Sequence, residues 1–549
     1  MRALLEAAPA VRGRLGPFSN IERAWTVLAE SDRHDPAAVE QVLMMPSIGV
    51  WLNRALRQTL GRPPDSTSIQ LDVGWFHAVA AAAAIRCEVS CTLPVPVVHG
   101  AVCLPSVGIF RLPTQFPVGH ADVTVAPSGV SVTACGGTVT TSDLEPLVRH
   151  RSTARGALLE TTIDVLDPYR TFGAPEPAGR LAEDEHASWT KQLDEAWDLL
   201  TRWHPGEAEE LAAGLTTLVP LPAELGVFAA SSSSAFGGIA MSPKPSATEC
   251  AEALIHELQH SKINAVLDLV VLCKPEMKSA LLYAPWRDEP RPLAALLHGL
   301  YAFVSVVEFW HVQRPLVTQA ERRQADFRAG YRADQLGRVV DAVYVHPGLT
   351  DLGRELVSGV AARLVASAPA DLPPDIAALI DDLTSDHYAI WRLRHVRPAD
   401  DAVTRLADDW LAGAPAVIDH SGEMVLPRPG RPFARATLLK AHSFEPQRFE
   451  RLPQYGPDTA LARGEHDLAT NGYLDRITEA PTDVTAWAGL ALSTRSPSLL
   501  HIPELVRATW HRLNADTGAA PNPLDLAAWF DRTGPPAAHT SLRHLGTPG

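Results

Sequence analysis

The stretch 246–269, Ser246-Ala-Thr-Glu-Cys-Ala-Glu-Ala-Leu-Ile-His256-Glu257-Leu258-Gln259-His260-Ser-Lys262-Ile-Asn-Ala-Val-Leu-Asp-Leu, decides how the chain is read. Leu254, Ile255, Leu258, Ile263, Val266 and Leu267 recur at helical spacing. Ser246 and Glu249 have the spacing of a capping box, in which each side chain satisfies an orphan backbone N–H at the other's position. The spacing predicts a helix over 246–269. On it, residues four apart lie about 40° apart around the axis and about 6 Å apart along it. The imidazoles of His256 and His260 therefore reach toward one point, where they can share a metal ion. Glu257 occupies the adjacent edge, where it can face water beside that ion without ligating it. With 21 His in the chain, composition alone would produce H-E-x-x-H about 0.05 times. The pattern is therefore read as a metal site.

A metal needs a third protein ligand. The extended H-E-x-x-H-x-x-G-x-x-H pattern fails, because Ile263 and Val266 stand at its Gly and last His positions. The apolar stretch 293–312, entered after Pro290 and Pro292, reads as a second helix and offers His298 or Glu308. These are ten apart, about 80° around a helix, so both are not expected at one ion. Two His with a carboxylate serve iron oxygenases and zinc proteases alike, so the ligands alone do not choose the metal. Between the two helices, Tyr283-Ala-Pro-Trp-Arg-Asp-Glu-Pro-Arg-Pro carries three prolines and reads as a rigid loop. Arg287 or Arg291 there can clamp a carboxylate bidentately, or can pair with Asp288 or Glu289. Lys262 is a further basic candidate. The run Ser231 to Ser234 lacks a G-x-S-x-G elbow and reads as a polar loop.

Farther out, 21–30, 36–45 and 49–60 carry helical spacing, and 93–141 turns to Pro, Gly, Val and Thr with short β-branched runs, the texture of a small sheet. Helix is expected again over 181–211, and two short strands over 226–230 and 237–242. Several helices follow to about 410. Residues 413–435 are rich in Pro and Gly and read as a linker. Beyond it, Tyr473-Leu-Asp-Arg-Ile and Ala486-Trp-Ala-Gly-Leu-Ala-Leu look like pieces of a helical-repeat hairpin. The end, from about 535, is expected to fray. The expected organisation is thus a catalytic region over 1–412, with N-terminal helices (1–80), a β-rich part (93–180), metal-site helices (246–312) and further helices to 410. The linker 413–435 and a C-terminal helical region, 436–549, complete it. The expected fold class is α+β, mainly helical, with the H-E-x-x-H helix beside a small, mostly antiparallel sheet.

The 549 residues are 46% hydrophobic and 20% charged, enough apolar material to exclude disorder over most of the chain. The net charge of −15 argues against a nucleic-acid partner, which needs a basic footprint. Six cysteines in this length make no disulfide scaffold. Residues 1–20 lack a signal-peptide core, and 293–310, interrupted by His298, Gly299, Tyr301 and Glu308, reads as a buried helix and not a membrane span. A cytoplasmic protein without a membrane partner is expected.

The segments Ala253-Leu-Ile-His-Glu-Leu-Gln-His-Ser-Lys-Ile-Asn-Ala-Val-Leu-Asp-Leu, Tyr283 to Pro292 as quoted, and Leu296-Leu-His-Gly-Leu-Tyr-Ala-Phe resemble the H-E-x-x-H peptide-modification family of ribosomally synthesised peptide natural product (RiPP) biosynthesis. The resemblance covers about 220–312 and extends to Met45-Pro-Ser-Ile-Gly-Val-Trp. It implies a zincin-like active-site helix and an Fe(II)- and 2-oxoglutarate-dependent peptide β-hydroxylase, a dioxygenase. On that implication His256 and His260 hold iron, His298 or Glu308 completes the set, and Arg287, ahead of Arg291 and Lys262, takes the distal carboxylate of 2-oxoglutarate. Glu257 then orients water instead of acting as a peptidase base. The substrate implied is a ribosomal precursor peptide lying along the 237–242 strand, and a radical-SAM maturase is an implied pathway partner. Cys87 and Cys91 lack the third cysteine of a radical-SAM cluster, so the chain itself would be a stand-alone hydroxylase. Two other readings stay open: a zinc metallopeptidase that trims a leader peptide with Glu257 as general base, and a non-catalytic peptide-binding protein.

Overall fold

A computed structural model describes residues 13, 15–60, 66–113, 118–134, 137–223, 228–277, 280–419, 422–426, 434–454 and 456–532. The expected fraying from 535 lies outside them, as do residues 226–227 of one expected strand. The chain is α+β and mainly helical, and it divides into two compact units, Met1–Val266 and Leu267–Gly549.

The first unit begins with four helices, α1 (Ile21–His34), α2 (Pro36–Leu43), α3 (Pro46–Leu60) and α4 (Ser66–Arg86). The Asn20 side chain accepts from the Arg23 N–H, and Asp35 does the same for Ala38, so both helix starts are capped by a side-chain oxygen. α4 is apolar on all sides, and Ala78 to Ala84 are fully buried, which makes it the central helix of this unit. Beside it in the same core lie strands of a seven-stranded antiparallel sheet: β1 (Cys91–Val98), β2 (Ala101–Leu104), β3 (Gly108–Arg111), β4 (Val118–Ala126), β5 (Gly129–Ala134), β6 (Gly137–Thr140) and β7 (Leu144–Pro146), in the order β6-β5-β4-β1-β2-β3-β7. The β-branched runs read from sequence fall in β4 and β5, whose register pairs Val123 with Val132.

A second sheet positions the H-E-x-x-H helix. It contains β8 (Val148–Ala154), β9 (Ala157–Ile163), β10 (Thr217–Pro220), β11 (Ala229–Ala230) and β12 (Gly238–Met241), in the order β11-β12-β10-β9-β8. Helices α5 (Glu183–Trp203) and α6 (Pro205–Gly214) connect β9 to β10, and α7 (Ala247–Leu269) follows β12. Here the sheet is mixed and not mostly antiparallel, because β10 runs parallel to both β9 and β12. Strand β12 is also interior, bonded to β10 on one side and β11 on the other. A peptide therefore cannot lie along 237–242 by strand addition, since both main-chain edges of that strand are taken. The edge strands are β11 and β8.

The second unit opens with β13 (Leu281–Leu282) and β14 (Arg291–Pro292), paired antiparallel across the 283–290 loop. There follow α8 (Leu293–Gln313), α9 (Gln319–Tyr344), α10 (Asp351–Ser367), α11 (Pro374–His395) and, after β15 (Val396–Pro398), α12 (Asp400–Leu411). Among the described residues α8 alone is long and apolar enough to cross a membrane, and 67% of its most apolar window is buried within the protein, as a core helix would be. The described part of 413–435 does not act as a spacer. Its β16 (Gly422–Met424) pairs with β15, and Ile390, Leu393 and Leu406 before it share one core with Trp487, Trp510 and Phe530 after it. Helices on both sides of this segment thus belong to one body, and the division of the chain falls inside α7 instead.

Candidate metal centre

The helix that carries the motif starts where its sequence says it should. The Ser246 hydroxyl oxygen accepts from the Glu249 N–H at 3.2 Å. Leu254, Ile255, Leu258 and Ile263 are buried and anchor α7. His256 and His260 are half-buried on one face, with ring centroids 4.7 Å apart and planes at 84°. The two imidazoles, one turn apart, are thus in edge-to-face contact.

Glu257, between them in sequence, is 4% exposed. Its Oε2 accepts from the Ser231 hydroxyl at 2.7 Å. Burial pushes the Glu257 carboxyl above its usual value, and the Ser231 hydroxyl and the charge of Lys244 pull against that. Lys244 is itself buried, and its ammonium donates to the Phe228 carbonyl at 2.8 Å. Burial lowers its pKa, opposed by Cys250, Glu257 and other acids nearby. Sequence reasoning missed both Ser231 and Lys244 as neighbours of Glu257. Ser231 carried no signal beyond its polar run, because the contact spans 26 residues.

Lys262 is committed elsewhere in the first unit, to Glu210 at 2.6 Å. In the second unit His298 lies half-buried on α8, and burial lowers its pKa, which favours the neutral imidazole that can ligate a metal. Its neighbour Gly299 is pressed by the Trp286 ring, so closely that an added Cβ would fall 2.2 Å from it. Glu308 is bound by Arg363 through two contacts, 2.7 Å to Oε1 and 2.5 Å to Oε2.

The 283–292 loop is fixed at several points, as its prolines suggested. The Tyr283 hydroxyl is 2.9 Å from His387 Nδ1, Gln335 donates to the Pro285 carbonyl at 2.8 Å, and His395 Nε2 lies 2.9 Å from the Asp288 carbonyl. The Asp288 carboxylate is not paired with an arginine of its own loop. It faces His387, which holds its pKa below the usual value. Arg287 is exposed, and Arg291 lies half-buried in β14.

Among the described residues, no set of three or more His, Cys, Asp or Glu side chains is gathered in a way that would hold a metal ion. The His256–His260 pair places two imidazoles on one face of α7 beside a buried carboxylate. The scan of protein-family models finds none that matches the chain, and the search of curated proteins finds no similar one.

Proposed function

We propose that the protein is an Fe(II)- and 2-oxoglutarate-dependent β-hydroxylase of a ribosomally synthesised precursor peptide, built around a zincin-like H-E-x-x-H helix. The observation that supports the metal part of this reading is the His256–His260 pair on one face of α7, with the buried Glu257 carboxylate beside it; the resemblance is what favours hydroxylation over peptide cleavage. His256 and His260 would hold the metal; the resemblance leaves the third ligand to His298 or Glu308, the latter bonded to Arg363, and gives the distal carboxylate of 2-oxoglutarate first to Arg287. Iron and 2-oxoglutarate supply the oxidation when bound, and the protein's part is orientation and the exclusion of water.

The reaction balances as peptide C–H, 2-oxoglutarate and O2 giving peptide C–OH, succinate and CO2. The test is anaerobic loading with Fe(II), then addition of 2-oxoglutarate, oxygen and a precursor peptide encoded beside the gene. A mass gain of one oxygen with stoichiometric succinate is expected. Peptide cleavage with zinc and no succinate would overturn the reading in favour of a leader peptidase.

A further inference from the structure

We infer that a cavity beside the start of α5 binds a neutral apolar molecule carrying a hydroxyl, and that His186 receives that hydroxyl. The inference is independent of the metal reading, since no residue of the cavity belongs to that site. The chain passes from β7, an edge strand of the first sheet, to β8, an edge strand of the second, through the single residue Leu147. Farther along β8 the helix α5 is tied down, with His150 Nε2 2.8 Å from Asp194 and Arg155 3.2 Å from Asp198. At the start of α5 a cavity of about 450 Å³ remains, with Val148, Ile163, Leu166, Leu181 and His186 in its lining. Its walls are held by main-chain bonds: the Gly179 N–H donates to the Val165 carbonyl at 2.7 Å, and the Gly179 carbonyl accepts from Arg111 at 3.0 Å. A fixed, mostly apolar space of this size is the usual form of a small-molecule site, where volumes run from about 300 to about 1,000 Å³.

One part of the lining is polar in a way that selects the ligand. The His186 ring is half-buried, and its Nε2 is buried with no hydrogen-bond partner among the described residues. Buried polar atoms in native proteins are nearly always bonded, so one left open beside a cavity points to a partner that enters it. A neutral imidazole presents a donor or an acceptor at Nε2 according to its tautomer. A hydroxyl answers either, whereas a carboxylate only accepts and an ammonium only donates. The charges around the cavity agree with a neutral ligand. Glu145, paired with Arg111 at 2.8 Å, and the exposed Glu183 and Arg180 also line it, so it presents no single sign. An apolar cavity of about 150 Å³ takes one benzene ring, so two fused rings and their hydroxyl fit within the volume here.

The test is equilibrium dialysis of the full chain against 2-naphthol, with naphthalene as the same rings without the hydroxyl and 2-naphthoate as the charged counterpart. One 2-naphthol should bind per chain, at least about fivefold tighter than either control, the worth of one neutral hydrogen bond. His186→Phe keeps a ring and removes both nitrogens, so it should bind 2-naphthol and naphthalene within about twofold of each other. Leu181→Trp, at a half-buried position, fills the space and should weaken both at least about tenfold. In the wild-type chain, which needs no variant to fold, the His186 ring-nitrogen NMR signals should move with 2-naphthol and stay with naphthalene. N-acetyltyrosinamide distinguishes the sources of such a hydroxyl. Binding within about tenfold of 2-naphthol assigns the site to a tyrosine side chain of a peptide, and weaker binding assigns it to a free molecule. No saturable binding of 2-naphthol, equal binding of naphthalene by the wild-type chain, or a hydroxyl preference kept in His186→Phe overturns the inference.

Discussion

Glu257 in the first unit and Asp386 in the second are both carboxylates shut away from water, and they are satisfied in opposite ways. Asp386 meets a buried guanidinium. Arg435 donates to it and, at 2.8 Å, to Asp458, which also accepts from the Tyr473 hydroxyl at 2.7 Å. Glu257 accepts from a neutral donor, the hydroxyl of Ser231. Asp167 in the same unit is of the second kind, held by the Ser47 hydroxyl and the Tyr169 N–H. Charge matched by charge locks a core in place. Charge matched by neutral donors is held in direction but is not cancelled, and this is the condition in which a carboxylate can still respond to a ligand or a proton.

The largest expected effect breaks the first kind of site. Arg435→Met leaves Asp386 buried without its guanidinium and should cost about 3–5 kcal/mol. Urea unfolding followed by tryptophan fluorescence should show the loss; a loss below about 1 kcal/mol would mean the pair is incidental.

Next comes pH. Burial, and then the neighbouring Asp164, push the Asp167 carboxyl up to about 7 from its ordinary 3.8. The native state therefore binds this proton more tightly than the unfolded chain. Its contribution to stability is present at low pH and is lost as pH rises between those two values. Asp167→Asn should remove that loss, so the stability gap between variant and wild type should widen in the variant's favour from pH 5 to pH 7.5. A gap that does not move with pH contradicts the raised value.

Ser47→Ala removes the hydroxyl that Asp167 accepts from and should cost about 1–3 kcal/mol at neutral pH, read by the same unfolding curves. The smallest effect sharpens the contrast. Glu257→Gln keeps the shape and still accepts from Ser231, so its stability should stay within about 1 kcal/mol of wild type. The equivalent change in an ion-paired site, Asp386→Asn, should cost more.

The local parts of this structure were legible in the sequence because local physics fixes them. The 3.6-residue spacing around Leu254 and Leu258, and the cap at Ser246, gave α7; the spacing of His256 and His260 gave their neighbouring places on one face of it. The β-branched runs gave β4 and β5. What was not legible depends on contacts distant in sequence. Nothing near Ser231 signals Glu257. The interior place of β12 follows from its pairing with β10, 21 residues earlier in register, so the expectation of a peptide along it failed. The Pro- and Gly-rich stretch after Leu411 looked like a linker by composition, yet Arg435 at its end is 2% exposed and bound to two acids. Composition reports turns; it does not report whether the chain beyond them returns to the same core.

The proposed metal site on α7 is tested by equilibrium binding of Co(II) or anaerobic Fe(II) to the whole chain, beside His256→Ala and His260→Ala. One ion per chain is expected, with affinity falling at least about a hundredfold in each variant, since even the groups that orient metal ligands are worth 10–100-fold. No stoichiometric binding by the wild-type chain, or a His256→Ala variant that binds as wild type does, would contradict the proposal.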